Sequence, residues 1–140
     1  MNSMKETAKK LFHACESGEG WEVCQQFCTP DATFSAQADA LAEMKTLKAY
    51  ADWMKSVYIF APDASYEIKS FGVDEECNNI SGYGIFRATH THEGGPVPPT
   101  GKSIECDYAF FMQFKDNKVR HMTKIWNDVL SYRQFGWDKD

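Results

Sequence analysis

Four long stretches of β character fill the second half of the chain: Ser65 to Val73, Asn78 to His92, Lys102 to Phe114 and Lys118 to Asn127. Successive strand residues face opposite ways, so such stretches must build a sheet with two chemically different sides. Asp74-Glu75-Glu76 and Lys115-Asp116-Asn117 are short and polar enough to close hairpins, while Glu93 to Gly101, rich in Gly and Pro, makes a longer, stiffened loop. Consecutive strands are therefore expected to pair antiparallel.

The first half has a different period. Met4, Ala8, Leu11, Phe12 and Cys15 recur at helical spacing, with Ser3 placed to cap and Glu6 to complete a capping box. Ser17-Gly18-Glu19-Gly20 breaks this helix, and Trp21, Cys24, Phe27 and Cys28 mark a second, short one that ends before Thr29-Pro30-Asp31. Ala32 to Ser35 reads as a short strand. Leu41, Met44, Leu47, Ala51, Met54 and Tyr58 then step along a third, longer helix whose apolar stripe needs a sheet to cover. Helices first and a strand meander afterwards predict an α+β fold: one domain over residues 1–140, with the N-terminal helices packed on a curved antiparallel sheet.

A net charge of −5, with no cluster of Lys and Arg, argues against a nucleic-acid partner. No apolar run approaches the ~20 residues that span a bilayer, and the N-terminal segment has no signal-peptide core, so the expectation is a cytoplasmic protein without a membrane partner. Five cysteines form an odd set without secreted-framework spacing and read as reduced core thiols; Cys24 and Cys28 would share a helix face, with no second pair to make a metal site. Aromatics reach 14% of the chain, which suits a lined cavity or a wide interface.

Alternation places His121, Thr123, Ile125 and Asn127 on one face of the last strand, and Asp107, Ala109, Phe111 and Gln113 on one face of the strand before it. The opposite face of the earlier strand carries the apolar row Ile104, Cys106, Tyr108, Phe110, Met112 and Phe114, which reads as core or as a dimer contact. The mixed face is taken as the pocket side. On that reading His121 is an acid-base group, Asp107 its orienting partner or the base itself, and Gln113 a donor to a carbonyl or oxyanion. The alternative is that Asp107 and His121 form a satisfied polar pair on a solvent-facing sheet. His90 and His92 share a strand face and would make a metal set only if the strands brought His121 or Asp107 beside them; sequence does not place that third ligand, so no metal is expected and His90 is grouped with the ligand-binding residues.

Several phrases resemble the nuclear transport factor two-like superfamily, in its SnoaL-like polyketide cyclase branch. Phe27 to Phe34 resembles that family's helix-to-strand passage, and Phe60-Ala61-Pro62-Asp63 its exit from the third helix. Ala88-Thr89-His90-Thr91-His92-Glu93, followed by Pro98-Pro99-Thr100-Gly101-Lys102, is similar to its strand-loop-strand passage, and Tyr132-Arg133-Gln134-Phe135-Gly136 to its closing phrase. The resemblance implies a cone-shaped pocket, a homodimer, and acid-base chemistry of the cyclase, isomerase or lyase kind on a small, largely apolar carbonyl compound, with no cofactor. A binding or accessory domain of the same fold is the alternative. It also implies pocket walls from Phe34, Trp53 and Phe111. Where the cyclases carry a proton-abstracting Asp, an ungapped match puts Asn127, with Asp128 next. Asp128 would need a local irregularity to turn inward as the base; otherwise it caps the turn that follows.

Overall fold

The structure, a computed structural model, describes residues 3–137, with side chains from residue 4. The expected Ser3 cap therefore lies outside the described side chains. Helix α1 spans Ser3–Glu16, and a short α2, Trp21–Cys24, runs on as a 3-10 turn, Gln25–Phe27. Strand β1 covers Cys28–Gln37, a 3-10 turn covers Asp39–Leu41, and α3 covers Leu47–Phe60. The remainder is β2 (Ser65–Asp74), β3 (Asn79–Thr89), β4 (Ser103–Lys115), β5 (Lys118–Trp126) and α4 (Asp128–Phe135).

Hairpin pairing of β2 with β3, β3 with β4 and β4 with β5 is antiparallel, as the turn lengths require. Asp116 and Asn117, both at positive φ, form the two-residue turn between β4 and β5, a conformation that Asn and Asp tolerate better than most residues. The expected all-antiparallel sheet needs one correction. Strand β1 is ten residues long and lies parallel to β5, giving a mixed sheet of order β1-β5-β4-β3-β2. Its register with β5 shifts between Cys28 and Thr33, so the Thr29-Pro30-Asp31 stretch reads locally as a turn while belonging to a strand. Helix α3 also begins later than expected, at Leu47, where Thr46 accepts the Ala49 amide as its N-cap.

The apolar row of β4 faces the helices. Ile104, Cys106, Tyr108, Phe110 and Met112 are buried there, with Leu11 and Phe12 of α1 and Leu47, Tyr50, Ala51 and Met54 of α3. Phe12 stacks on Phe110 at 4.2 Å between ring centroids, and Phe34 stacks on Tyr50 at 4.4 Å. Phe110 lies across Gly82, where a Cβ would meet its ring at 2.3 Å, so only glycine permits this packing. Fully burying side chains of this size contributes about 1.5–3 kcal/mol each.

One irregularity decides which side chains of β5 face inward. Gln113 pairs with His121, but Phe114 pairs with Val119, so Arg120 is an extra residue on β5. This bulge lets Val119 and Met122 both point into the core and gives Met122, Lys124 and Trp126 the inward parity, while His121, Thr123 and Ile125 face out. The outer face of the sheet carries Glu67, Arg87, Glu105, Asp107 and Ile125 into solvent, and Arg87 binds both Glu67 and Glu105. No described helix is long and apolar enough to cross a membrane.

Candidate functional site

Beyond the packed core, the inner face of the sheet opens into a cavity of about 680 Å³, within the range of small-molecule sites. Ile104, Cys106 and Tyr108 of β4 and Lys124 and Trp126 of β5 form its floor, and Trp53, Met54, Val57 and Phe60 of α3 form one wall. Tyr132 and Phe135 of α4, the following Trp137, and Gly94-Gly95-Pro96 of the loop between β3 and β4 complete it. Among the described residues that line it, Lys124 alone carries a charge.

Lys124 is 6% exposed, and its Nζ lies 5.0 Å from the ring centroids of Tyr50, Tyr108 and Trp126 and 6.0 Å from that of Trp53. Aromatic faces attract a cation, so this cage replaces part of the hydration that the ammonium loses on burial. Nζ also donates to Tyr50 Oη at 2.9 Å, and Tyr50 Oη donates to Glu16 Oε2 at 2.8 Å. The direction of both bonds is fixed, because an ammonium can only donate and a carboxylate can only accept. Tyr50 is 1% exposed and Glu16 2% exposed, so a buried cation and a buried anion are joined through one hydroxyl. Burial first, and the Glu16 carboxylate second, push the Tyr50 and Tyr108 hydroxyls well above the ordinary tyrosine range. Tyr108 Oη and Glu16 Oε1 are buried without a hydrogen-bond partner among the described residues.

At the other end of the cavity, α4 stops at Gly136 in the left-handed conformation, and the Trp137 amide bonds back to the Tyr132 carbonyl. That turn carries the Trp137 indole onto His90, whose Nδ1 accepts from Trp137 Nε1 at 3.0 Å. His90 is 0% exposed, its ring sits among Phe60, Phe135 and Trp137, and its Nε2 faces Gly95 without a hydrogen-bond partner. A Cβ on Gly95 would come within 3.2 Å of Nε2, a tight contact, so the loop seats most closely against the histidine when residue 95 has no side chain. His90 therefore stands behind the cavity wall.

The choice of the mixed sheet face as the pocket side is overturned by the burial of the other face. Asp107 is exposed on the outer surface opposite Ile85, and Phe111 lies on that same surface opposite Ser81 and Thr123. Gln113 pairs with His121 across the strands, so Asp107 and His121 stand six residues apart along the sheet, about 20 Å, and cannot act together. His121 instead bonds to Thr33 Oγ1 at 2.6 Å, Ser35 Oγ at 3.0 Å and Thr123 Oγ1 at 3.2 Å. Partial burial first, and Arg120 second, hold its imidazole below the ordinary histidine range.

Asn127 follows β5 and caps α4, accepting the Leu130 amide at 3.1 Å, so the capping role assigned to Asp128 belongs to its neighbour. Asp128, 4% exposed, accepts the amides of Ala40 at 2.7 Å and Asp39 at 3.3 Å and thereby ties the 3-10 turn to the start of α4. Both of its oxygens are engaged away from the cavity. Phe34 supports Tyr50 from within the core and does not line the cavity, whereas Trp53 does. Cys15 and Cys24 lie with their sulfurs 3.5 Å apart, and the buried Cys28 thiol donates to the Cys24 carbonyl. The groups that sequence reasoning missed were Lys124, Tyr50, Glu16 and Tyr108. A charged or hydrogen-bonding residue inside an otherwise apolar row, such as Lys124 between Met122 and Trp126, was the available signal.

A family model, SnoaL-like polyketide cyclase, matches residues 6–135. IdmH of Streptomyces antibioticus, a proposed polyketide cyclase, is 22% identical over 95% of this chain and 98% of its own, with a TM-score of 0.74. AclR of Streptomyces galilaeus, a proposed hydroxylase, is 20% identical over 99% of this chain and 98% of its own, with a TM-score of 0.75. A hypothetical protein of ketosteroid isomerase-like fold from Catenulispora acidiphila is 11% identical over 94% of this chain and 92% of its own, with a TM-score of 0.69. No curated protein sequence matches the chain. At these identities the solved structures speak for the shared α+β architecture alone.

Proposed function

The chain belongs to the SnoaL-like polyketide cyclase family, and from that premise we propose that its cavity binds a small, flat, largely apolar carbonyl compound and promotes its enolisation or ring closure. The observation that carries this reading is Lys124, the one charged residue among the described residues that line an apolar, aromatic-walled cavity. A fixed cation in a dry site stabilises the negative charge that develops on a carbonyl oxygen when a proton leaves the neighbouring carbon. Trp53, Trp126 and Trp137 supply flat apolar surface for the body of the ligand.

A second reading, binding without turnover, is favoured by one feature: no carboxylate lines the cavity among the described residues. A flat aryl ketone such as 2-tetralone separates the two. Quenching of the cavity tryptophans reports binding, and exchange of the α-protons in deuterated water, followed by NMR, reports enolisation. Exchange in the wild type that is lost in Lys124→Met supports the first reading; quenching without exchange leaves the second; neither signal removes both.

The reading includes a homodimer formed through the outer sheet face, where Tyr83, Ala109 and Ile125 lie side by side across β3, β4 and β5. It also includes a cytoplasmic setting, in keeping with the unpaired thiols of Cys15, Cys24, Cys28 and Cys106. Light scattering of the wild type and of Ile125→Glu tests the dimer, which the charge should dissociate.

A further inference from the structure

We propose that Lys124 is a covalent site for aldehydes and ketones: its amine forms an iminium with the bound carbonyl, and Glu16, acting through Tyr50, takes up and returns the proton that this requires. The proposal rests on the carbonyl-binding reading of the cavity and adds a bond to it.

A lysine attacks a carbonyl only as the free amine. The chain Lys124 Nζ, Tyr50 Oη, Glu16 Oε2, with steps of 2.9 Å and 2.8 Å, provides a route to that form. If the ammonium passes a proton to the tyrosine oxygen while the tyrosine passes its own to the carboxylate, Lys124 becomes an amine and Glu16 a carboxylic acid. The pair has no net charge before or after, so the exchange exports no charge from a buried site.

The amine lone pair then forms a C–N bond to the carbonyl carbon while the C=O π electrons move to oxygen. Transfer of one N–H proton to that oxygen gives the neutral carbinolamine. The proton held on Glu16 returns through Tyr50 to the hydroxyl, which leaves as water, and the nitrogen lone pair closes the C=N bond. The products are an iminium cation, a water molecule and the Glu16 carboxylate.

The surroundings favour this product. An iminium is a cation, so it keeps the attraction of the rings of Tyr50, Tyr108 and Trp126, each 5.0 Å from Nζ. Its remaining N–H keeps a donor for Tyr50. The titratable groups facing Lys124 are Tyr50 from α3 and Tyr108 from β4, with Glu16 of α1 behind Tyr50 and the Cys15 thiol beside Glu16. Glu16 is thus a positioning residue that sets the protonation of Lys124 without touching the ligand.

The test uses the full chain with 2-naphthaldehyde and cyanoborohydride, which reduces an iminium to a stable secondary amine that peptide mass mapping locates. At neutral pH, labelling of Lys124 is expected to outrun that of the exposed Lys48 about tenfold or more, as proximity in a bound complex provides, and to fall when 2-tetralone competes. In Glu16→Gln the labelling of Lys124 should drop to that of Lys48 at neutral pH, because the relay that returns a proton to the departing hydroxyl is gone, and should recover as the pH is lowered and solvent supplies that proton. Tyr50→Phe should do the same and stands in if Glu16→Gln does not fold, as judged by its thermal melt. Tryptophan quenching without preferential labelling of Lys124 overturns the iminium and leaves the carbonyl-binding reading intact, whereas absence of quenching removes that reading itself. Labelling in both Glu16→Gln and Tyr50→Phe that matches the wild type at neutral pH overturns the role of Glu16.

Discussion

Lys124 Nζ donates to Tyr50 Oη at 2.9 Å from inside a cage of aromatic rings, so the one charge that lines the cavity among the described residues is held by a residue that also reaches the buried Glu16. The cation and the anion are interdependent. Removing either alone strands the other in a site with little water, which typically costs about 3–5 kcal/mol.

Lys124→Met should therefore lose stability by roughly that amount, and Lys124→Met combined with Glu16→Gln should cost less than the sum of the two single changes. A double-mutant cycle of urea unfolding curves measures the coupling, expected at about 1–3 kcal/mol. Strict additivity of the two changes would show that the charges do not see one another through Tyr50.

Asp128 and Asn127 divide the work at the end of β5 in a way that sequence alone left open. Asn127 caps α4, and Asp128 holds the amides of Asp39 and Ala40. Asp128→Ala should leave two amides short of an acceptor and cost about 1–3 kcal/mol, while Asn127→Ala should cost about 1 kcal/mol. Thermal melts check both. In any ketone-exchange assay the folded fraction of Asp128→Asn should keep wild-type turnover; a loss with the melt unchanged would return Asp128 to the active centre.

Helix and hairpin signals were legible because they are local: helical spacing in α1 and α3, and turn residues such as Asp116 and Asn117 between β4 and β5. The length of β1 and its parallel pairing were not, since they depend on contacts with β5 some ninety positions away. The two faces of β4 and β5 could be separated by parity, but parity does not say which face the helices cover. Polar residues drew the choice to Asp107 and His121, while burial went to the row containing Tyr108 and Lys124. The bulge at Arg120, which gives Lys124 its inward direction, has no turn residue to announce it.

His121 gives the outer face a sensitivity to acid. Partial burial and Arg120 depress its folded-state pKa below the ordinary value, so the unfolded chain binds the proton more readily. The contribution to stability is then present above about pH 6.5, the ordinary histidine value, and is lost as pH falls through the lower, folded value. Melting temperature should fall between neutral pH and about pH 5, and His121→Gln, which keeps hydrogen bonding to Thr33 and Ser35 without a titrating ring, should flatten that slope. An unchanged slope in the variant would assign the acid sensitivity to other groups.

The loop wall of the cavity depends on a tight contact. Gly95 lies against His90 and Trp137, where a Cβ would stand 3.2 Å from His90 Nε2 and 3.3 Å from Trp137 Cζ2. Gly95→Ala should press this part of the loop away from the histidine by a few tenths of an ångström, with a penalty near the low end of overpacking, about 1 kcal/mol. Because Gly95 and Trp137 both line the cavity, the same change should weaken binding of a flat aryl ketone, read by tryptophan quenching, while the double-mutant coupling of Lys124 and Glu16 at the opposite end stays as it was. Amide hydrogen exchange should rise across residues 91–101 and stay constant in β4 and β5. Trp137→Phe offers an independent check, since it removes the donor to His90 Nδ1 without adding bulk and should loosen the same loop. Equal exchange in the loop of all three proteins would mean that His90 does not hold the loop in place.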